Sequence, residues 1–136
     1  MPIDLNPYLS FKDNTRDAMN FYQSVFGGDL QISTFEEYQA PVEDSEKSLI
    51  MHSELKAPNG LRFMASDTPN HMEYNPGTNF SMSLSGDDAA TLHGYFDKLA
   101  EGGAIGMPLE EAPWGDTFGM CTDKFGVAWL VNITKS

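Results

Sequence analysis

The chain has 136 residues, 40% apolar and 12% aromatic, enough for one ordinary hydrophobic core and too few for two large independent domains. Its single cysteine, Cys121, excludes an internal disulfide framework and a cysteine-built zinc site. Twenty acids against 8 bases leave a formal charge of −12, which opposes broad electrostatic binding to nucleic acid or an anionic membrane but not a small anion in a polar cleft.

The first residues lack a basic region followed by a long apolar run, and no stretch approaches the roughly 18 apolar residues of a membrane-spanning helix, so a soluble cytoplasmic protein is expected. Pro7, Leu9 and Phe11 alternate with Tyr8 and Ser10, the period of a strand with two differently used faces. Ala18, Met19, Tyr22, Val25 and Phe26 then recur at helical spacing, with Asn14 as the expected cap and Gly27-Gly28 as the stop. Three short strands are predicted at about residues 30–35, 48–56 and 60–66, the last two joined by the turn Ala57-Pro58-Asn59-Gly60. The charged segment 41–47 is expected to form a loop bordering an opening, and the Pro/Gly-rich segment 68–77 to cross between halves.

The second half repeats this order. Phe80, Met82 and Leu84 alternate with Asn79, Ser81 and Ser83; a helical stripe follows through Ala89, Leu92, Tyr95, Phe96 and Leu99, capped by Asp87 or Asp88 and ended by Gly102-Gly103. Strands are predicted at about 104–107, 117–122 and 127–133. Matching Asn6 with Asn79 sets the first strands 73 residues apart, and Trp129 falls 66 residues after Phe63. The reading is an α+β fold: one domain, 1–136, made of two βαβββ modules at about 1–67 and 78–136. Their curved mixed sheets are expected to enclose a shared cleft, because neither four-stranded sheet buries its inner face alone.

The ordered segments Pro7-Tyr8-Leu9-Ser10-Phe11, Ala18-Met19-Asn20-Phe21-Tyr22, Val25-Phe26-Gly27-Gly28, His52, Phe63-Met64-Ala65-Ser66-Asp67, Trp114-Gly115 and Phe125-Gly126-Val127-Ala128-Trp129 span nearly the whole chain. Together they resemble the vicinal oxygen chelate (glyoxalase/bleomycin resistance/dioxygenase) superfamily, and within it the PhnB-like branch. The resemblance implies paired βαβββ modules around a cavity and, commonly, a homodimer. It also implies that metal-dependent members place histidine on the first strand of each module and glutamate on the last. Those positions fall on Asn6, Asn79, Met64 and Leu130, a neutral amide pair, a thioether and an alkyl group that supply no hard anionic ligands. No divalent-metal site and no cofactor are therefore expected.

His52 is the sharpest remaining polar candidate. Alternation sets it opposite Met51 and beside Ile50 and Glu54, and either a hydrogen-bonded core role or a ligand-facing one fits. Tyr8 and Ser10, with Asn6, share the strand face turned away from the first helix; Asn79, Ser81 and Ser83 do the same in the second module. These residues are either pocket lining or ordinary sheet polar groups. Trp114 is read as covering a cavity mouth or as a packing residue, and Phe118 and Cys121 as approaching the cavity from one strand, with Cys121 a structural thiol. Trp129 reads as a core anchor, and His71 and His93 as surface or structural histidines. Glu110-Glu111 alternate to opposite faces and give no glycosidase geometry. Some PhnB-like proteins carry a ubiquinone methyltransferase label, but the chain has no glycine-rich cofactor loop.

The expected function is binding of a small oxygenated molecule. The alternative is a lyase, isomerase or related enzyme in which His52 or Glu54 moves a proton.

Overall fold

The computed structural model describes residues 3–135. Two compact units form, Met1–Gly77 and Thr78–Ser136. In the first, β1 (Tyr8–Phe11), α1 (Thr15–Phe26), β2 (Asp29–Thr34), β3 (Ile50–Lys56) and β4 (Arg62–Asp67) make a sheet of order β1-β4-β3-β2. In the second, β5 (Met82–Gly86), α2 (Ala89–Ala100), β6 (Ala104–Glu111), β7 (Thr117–Thr122) and β8 (Ala128–Ile133) make the order β5-β8-β7-β6. In each sheet the first and last strands of the unit run parallel and the other pairs antiparallel. The α+β reading with two βαβββ modules is the observed fold.

One face of each sheet is closed by its own helix. The predicted α1 stripe, Ala18, Met19, Tyr22, Val25 and Phe26, is buried throughout, and Phe63 of β4 meets the edges of the Tyr22 and Phe26 rings at 5.4 and 6.2 Å between centroids. Removing each large side chain of this kind from water stabilises the unit by roughly 1.5–3 kcal/mol. In the second unit Leu92, Phe96 and Leu99 fill the same role, with Leu84, Trp129 and Val131 buried on the sheet. Trp129 is 1% exposed, and its indole N–H donates to Asp123 Oδ2 at 2.8 Å, so the core-anchor reading is observed.

Helix capping differs from expectation at α1. Asn14 occupies the N-cap position but its side chain makes no capping bond. Asp67, 52 residues along the chain, takes over: its Oδ1 accepts from the Thr15 amide at 3.0 Å and the Thr15 hydroxyl at 2.8 Å. Its Oδ2 accepts from the Ile50 amide at 2.9 Å. One buried carboxylate thus ties the start of α1 to the starts and ends of two strands. At α2 the local signal holds, with Asp88 Oδ1 accepting from the Thr91 amide at 3.2 Å.

Two strand boundaries and one alternation differ from the local pattern. β5 runs over Met82–Gly86, starting three residues and ending two residues later than predicted, so Asn79, Phe80 and Ser81 lie before it. β6 continues through Pro108 to Glu111 instead of ending near 107, because it is the edge of its sheet, where a missing proline N–H is tolerated. In β3, a register shift opposite Ser33 and Thr34 breaks the alternation, so Ile50 is buried while His52 and Glu54 are only partly so. The segment 41–47 is not wholly a solvated loop either, since Glu46 is 3% exposed and its Oε2 accepts from the Asn70 amide at 2.7 Å.

Candidate functional site

The face of each sheet turned away from its helix carries the candidate residues. In the first sheet the register runs Tyr8–Met64–Glu54–Gln31 across all four strands, and directly paired residues share a face. The next positions pair Ser10 with Ser66 and His52 with Ser33. Tyr8, Ser10, Met64, His52 and Glu54 therefore occupy one helix-free surface. Asn6 precedes β1 and is partly buried.

His52 and Tyr8 touch. The Tyr8 hydroxyl lies 3.1 Å from His52 Nδ1, and the ring centroids are 5.8 Å apart. In the neutral Nε2–H tautomer the tyrosine hydroxyl donates to Nδ1; when the ring is protonated the same oxygen accepts from Nδ1–H. The contact thus fixes the imidazole on either side of a proton transfer and leaves Nε2 as the outward ring nitrogen. Neither residue is near the other in sequence, and only the order β1-β4-β3 brings them together.

Glu54 has a different character. Arg62 Nε donates to its Oε2 at 2.6 Å, Lys56 Nζ lies 3.6 Å from Oε1, and Arg62 also reaches Asp4 at 3.7 Å. The Arg62 hydrogen bond, opposed by partial burial and aided by the charges of Arg62 and Lys56, holds the Glu54 carboxyl below its ordinary value. A depressed carboxylate held in an ion pair is a weak base. A folded value below the unfolded one contributes stability above the ordinary carboxylate range and loses it as pH falls through the folded value. Glu54→Gln is accordingly expected to be less stable than the parent protein at neutral pH. The difference should vanish in acid below both values; chemical unfolding at a series of pH values reads it.

In the second sheet the corresponding rows are Ser83–Leu130–Met120–Met107 and Ser85–Asn132–Phe118–Glu110. Ser83, Leu130 and Phe118 share a face with Ser85 and Asn132; the sequence pattern omits Ser85 because it ends β5 too early, and Asn132 because it is a lone polar residue in an apolar strand. Phe63 and Trp129, with their partners Leu55 and Cys121, keep the 66-residue spacing. The first strands do not keep 73. Tyr8 pairs with Met64 as Ser83 pairs with Leu130, so β1 and β5 are 75 residues apart and Asn6 corresponds to Ser81, not Asn79. Asn79 and Ser81 are both exposed and outside the strand.

Trp114 is held against this face. Its indole N–H donates to Asn132 Oδ1 at 3.3 Å and its ring meets Phe118 edge-on at 5.6 Å. Cys121, by contrast, pairs with Trp129 on the helix side and is buried; it does not share the face of Phe118. Burial, with the nearby Asp123 charge, pushes its thiol up to about 11, which makes it inert at neutral pH.

The positions at which the superfamily holds its metal do not fit one. Met64 and Leu130 sit on the helix-free faces as a thioether and an alkyl group, and Asn6 and its structural counterpart Ser81, like Asn79, lie outside the strands as neutral groups. No group of three or more His, Cys, Asp or Glu side chains that could hold a metal ion occurs among the described residues. A separate depression of about 240 Å³ opens at the start of α1, lined by Asp13, Arg16, Asp17, Ser48 and Asp67 among others. The Asp67 oxygens there are already engaged by Thr15 and Ile50, so that carboxylate serves the fold.

No helix among the described residues is long and apolar enough to cross a membrane. The Escherichia coli K12 protein YjdN is 31% identical over 142 residues, covering 96% of this chain and 95% of its own. Protein PA1353 of Pseudomonas aeruginosa superposes with a TM-score of 0.85 at 36% identity, over 99% of this chain and 100% of that one. The PhnB protein of Bacillus cereus gives a TM-score of 0.76 at 28% identity, covering 97% and 100%. Residues 4–132 match the profile of the family described as 3-demethylubiquinone-9 3-methyltransferase. With its duplicated βαβββ topology, the chain belongs to that family, in the PhnB-like branch of the vicinal oxygen chelate superfamily.

Proposed function

We propose that the protein binds a small oxygenated molecule on the helix-free face of its first sheet, with His52 as its polar anchor. The observation that carries this reading is the Tyr8–His52 contact, which engages Nδ1 and leaves Nε2 for a ligand, on a strand face whose register also carries Ser10, Ser33 and Ser66. The serine, tyrosine and imidazole groups are neutral hydrogen-bonders beside the Glu54–Arg62 ion pair, suited to a carbonyl, carboxylate or hydroxyl oxygen. The helix-free face of the second sheet is read as a binding surface of its own, with the Ser83 hydroxyl beside apolar contact from Leu130, Phe118 and Trp114. Asn6, Met64, Asn79 and Ser81 stand at the margins or on the floor of these surfaces and are assigned lining roles only.

The second reading is proton transfer by His52, favoured by the same contact because the tyrosine hydroxyl supports both protonation states of the ring. Methyl transfer, which the family's description names, would need a cofactor-binding element. Neither the parallel sheet nor the glycine-rich loop of a conventional SAM enzyme is among the elements described.

The test is native mass spectrometry of gently purified protein to identify the retained compound, followed by titration and turnover with two variants. His52→Ala should weaken binding about ten- to a hundredfold and His52→Gln about two- to fivefold, since glutamine keeps a hydrogen bond but no exchangeable proton. If the protein is an enzyme, both variants lose turnover while Gln keeps affinity. Unchanged affinity and turnover in both would remove His52 from the site. We read the protein further as a cytoplasmic homodimer, supported by its buried unpaired Cys121, by exposed Ile105 and Met107 on the edge strand β6, and by the family. Sedimentation equilibrium and cell fractionation check these two points, and a monomer at every concentration would refute the first.

A further inference from the structure

Trp114 is 60% exposed yet fixed. Its indole N–H donates to Asn132 Oδ1 at 3.3 Å, and the Asn132 amide donates to Asp116 Oδ2 at 3.0 Å. The loop that carries it is closed by the Ala112 amide on the Asp116 carbonyl at 2.7 Å and the Gly115 amide on the Ala112 carbonyl at 2.9 Å. Phe118 supports the ring edge-on at an interplanar angle of 65°. An exposed indole held this way presents an ordered π face at little further entropic cost to a ligand.

Carboxylates outnumber cations on the strands and loop around it. Glu110 stands opposite Phe118 in the β6–β7 register, and Asp116 closes the Asn132 chain. The nearby cation, Lys135, has its ammonium 3.6 Å from Glu111 and its backbone amide 3.4 Å from Asp116 Oδ1. Aromatic faces attract cations and carboxylates reinforce that preference, whereas an anionic ring would meet two like charges.

We propose that this platform binds a planar cationic heteroaromatic group, its ring stacked on Trp114 and its charge offset by Glu110 and Asp116. The inference rests on the reading of the second sheet's helix-free face as a binding surface, and it adds the chemical class of what that face takes. The probes are 1-methylquinolinium, quinoline at pH 8, where it is neutral, and 2-naphthoate. Each is titrated into the full chain while the Trp114 indole N–H resonance is followed by NMR.

The quinolinium should give a saturable shift, bind about fivefold or more tightly than quinoline, and lose affinity as salt rises, while naphthoate stays silent. Trp114→Ala should cost about tenfold or more and Glu110→Gln about two- to fivefold, with Trp114→Phe keeping much of the affinity because it keeps a ring. Quinoline or naphthoate binding at Trp114 as tightly as the quinolinium would overturn the charge assignment and leave the face a binding surface. Silence of the Trp114 resonance toward all three probes at millimolar concentration would overturn both.

Discussion

Asp67→Ala is expected to destabilise the first unit by about 3–5 kcal/mol, a large part of the stability of a chain this size. Three donors converge on that carboxylate: the Thr15 amide, the Thr15 hydroxyl and the Ile50 amide, at 3.0, 2.8 and 2.9 Å. All lie in residues that are at most 1% exposed, and Asp67 itself is 4% exposed, so truncation leaves two backbone N–H groups without an acceptor. Each such buried orphan costs about 1–3 kcal/mol, and a 240 Å³ depression beside them lets water recover only part of it. Asp67→Asn keeps one acceptor oxygen but turns an NH2 toward one of the donors, and should cost about half as much. Urea unfolding of the two variants reads the order. A loss below about 1 kcal/mol in Asp67→Ala would mean that water replaces the carboxylate, and that the link between α1 and β3 is not what holds them.

The contrast between Asn14 and Asp67 shows where sequence reading reaches its limit. Periodicity found both helices and the β7 strand because burial on one face imposes a repeat that survives any local irregularity. Capping was legible at Asp88, where the acceptor precedes its donor by three residues. At α1 the acceptor comes from β4, and no local rule reports a bond across 52 residues. The same reason hid half of the candidate site. Tyr8 and His52 were each visible as polar residues on an alternating strand, but their contact depends on strand order rather than on spacing.

Errors of boundary had more effect than errors of type. Starting and ending β5 too early brought Asn79 forward as a lining residue and left out Ser85, although the faces of Met82, Ser83 and Leu84 were assigned correctly. The Phe80-Met82-Leu84 alternation is real, but Phe80 is nearly half exposed and lies before the strand. The later strands were read in phase because Phe63 and Trp129 are large aromatic landmarks. Asn132 was missed there for another reason: a single polar residue in the run Trp129-Leu130-Val131-Asn132-Ile133 gave no sign that Trp114 and Asp116 would converge on it.

The paired glycines after each helix carry the second large prediction. Read from sequence, Gly27-Gly28 and Gly102-Gly103 are helix stops, and Gly27 and Gly102 do adopt left-handed backbone, with φ of 74° and 78°. The second glycine of each pair has another task. A Cβ on Gly28 would overlap the Lys56 carbonyl oxygen at the end of β3, and one on Gly103 would overlap the Thr122 carbonyl oxygen at the end of β7. Lys56 and Thr122 are the same 66 residues apart as Phe63 and Trp129, so both modules use one backbone-to-backbone approach to seat the strand after the helix. Backbone atoms cannot step aside as a flexible side chain does. Gly28→Ala and Gly103→Ala should each therefore cost about 3 kcal/mol or more, Gly28→Ala the more because its φ of 92° adds strain. Gly27→Ala meets nothing within 4 Å and carries only the strain of its own backbone, whose φ of 74° and ψ of −166° are nearly confined to glycine, about 1–3 kcal/mol. Equal losses in Gly27→Ala, Gly28→Ala and Gly103→Ala by thermal unfolding would return these glycines to simple helix stops. A clear gap between the first variant and the other two would establish that close approach to the strand end, and not termination of the helix, is what demands glycine in both modules.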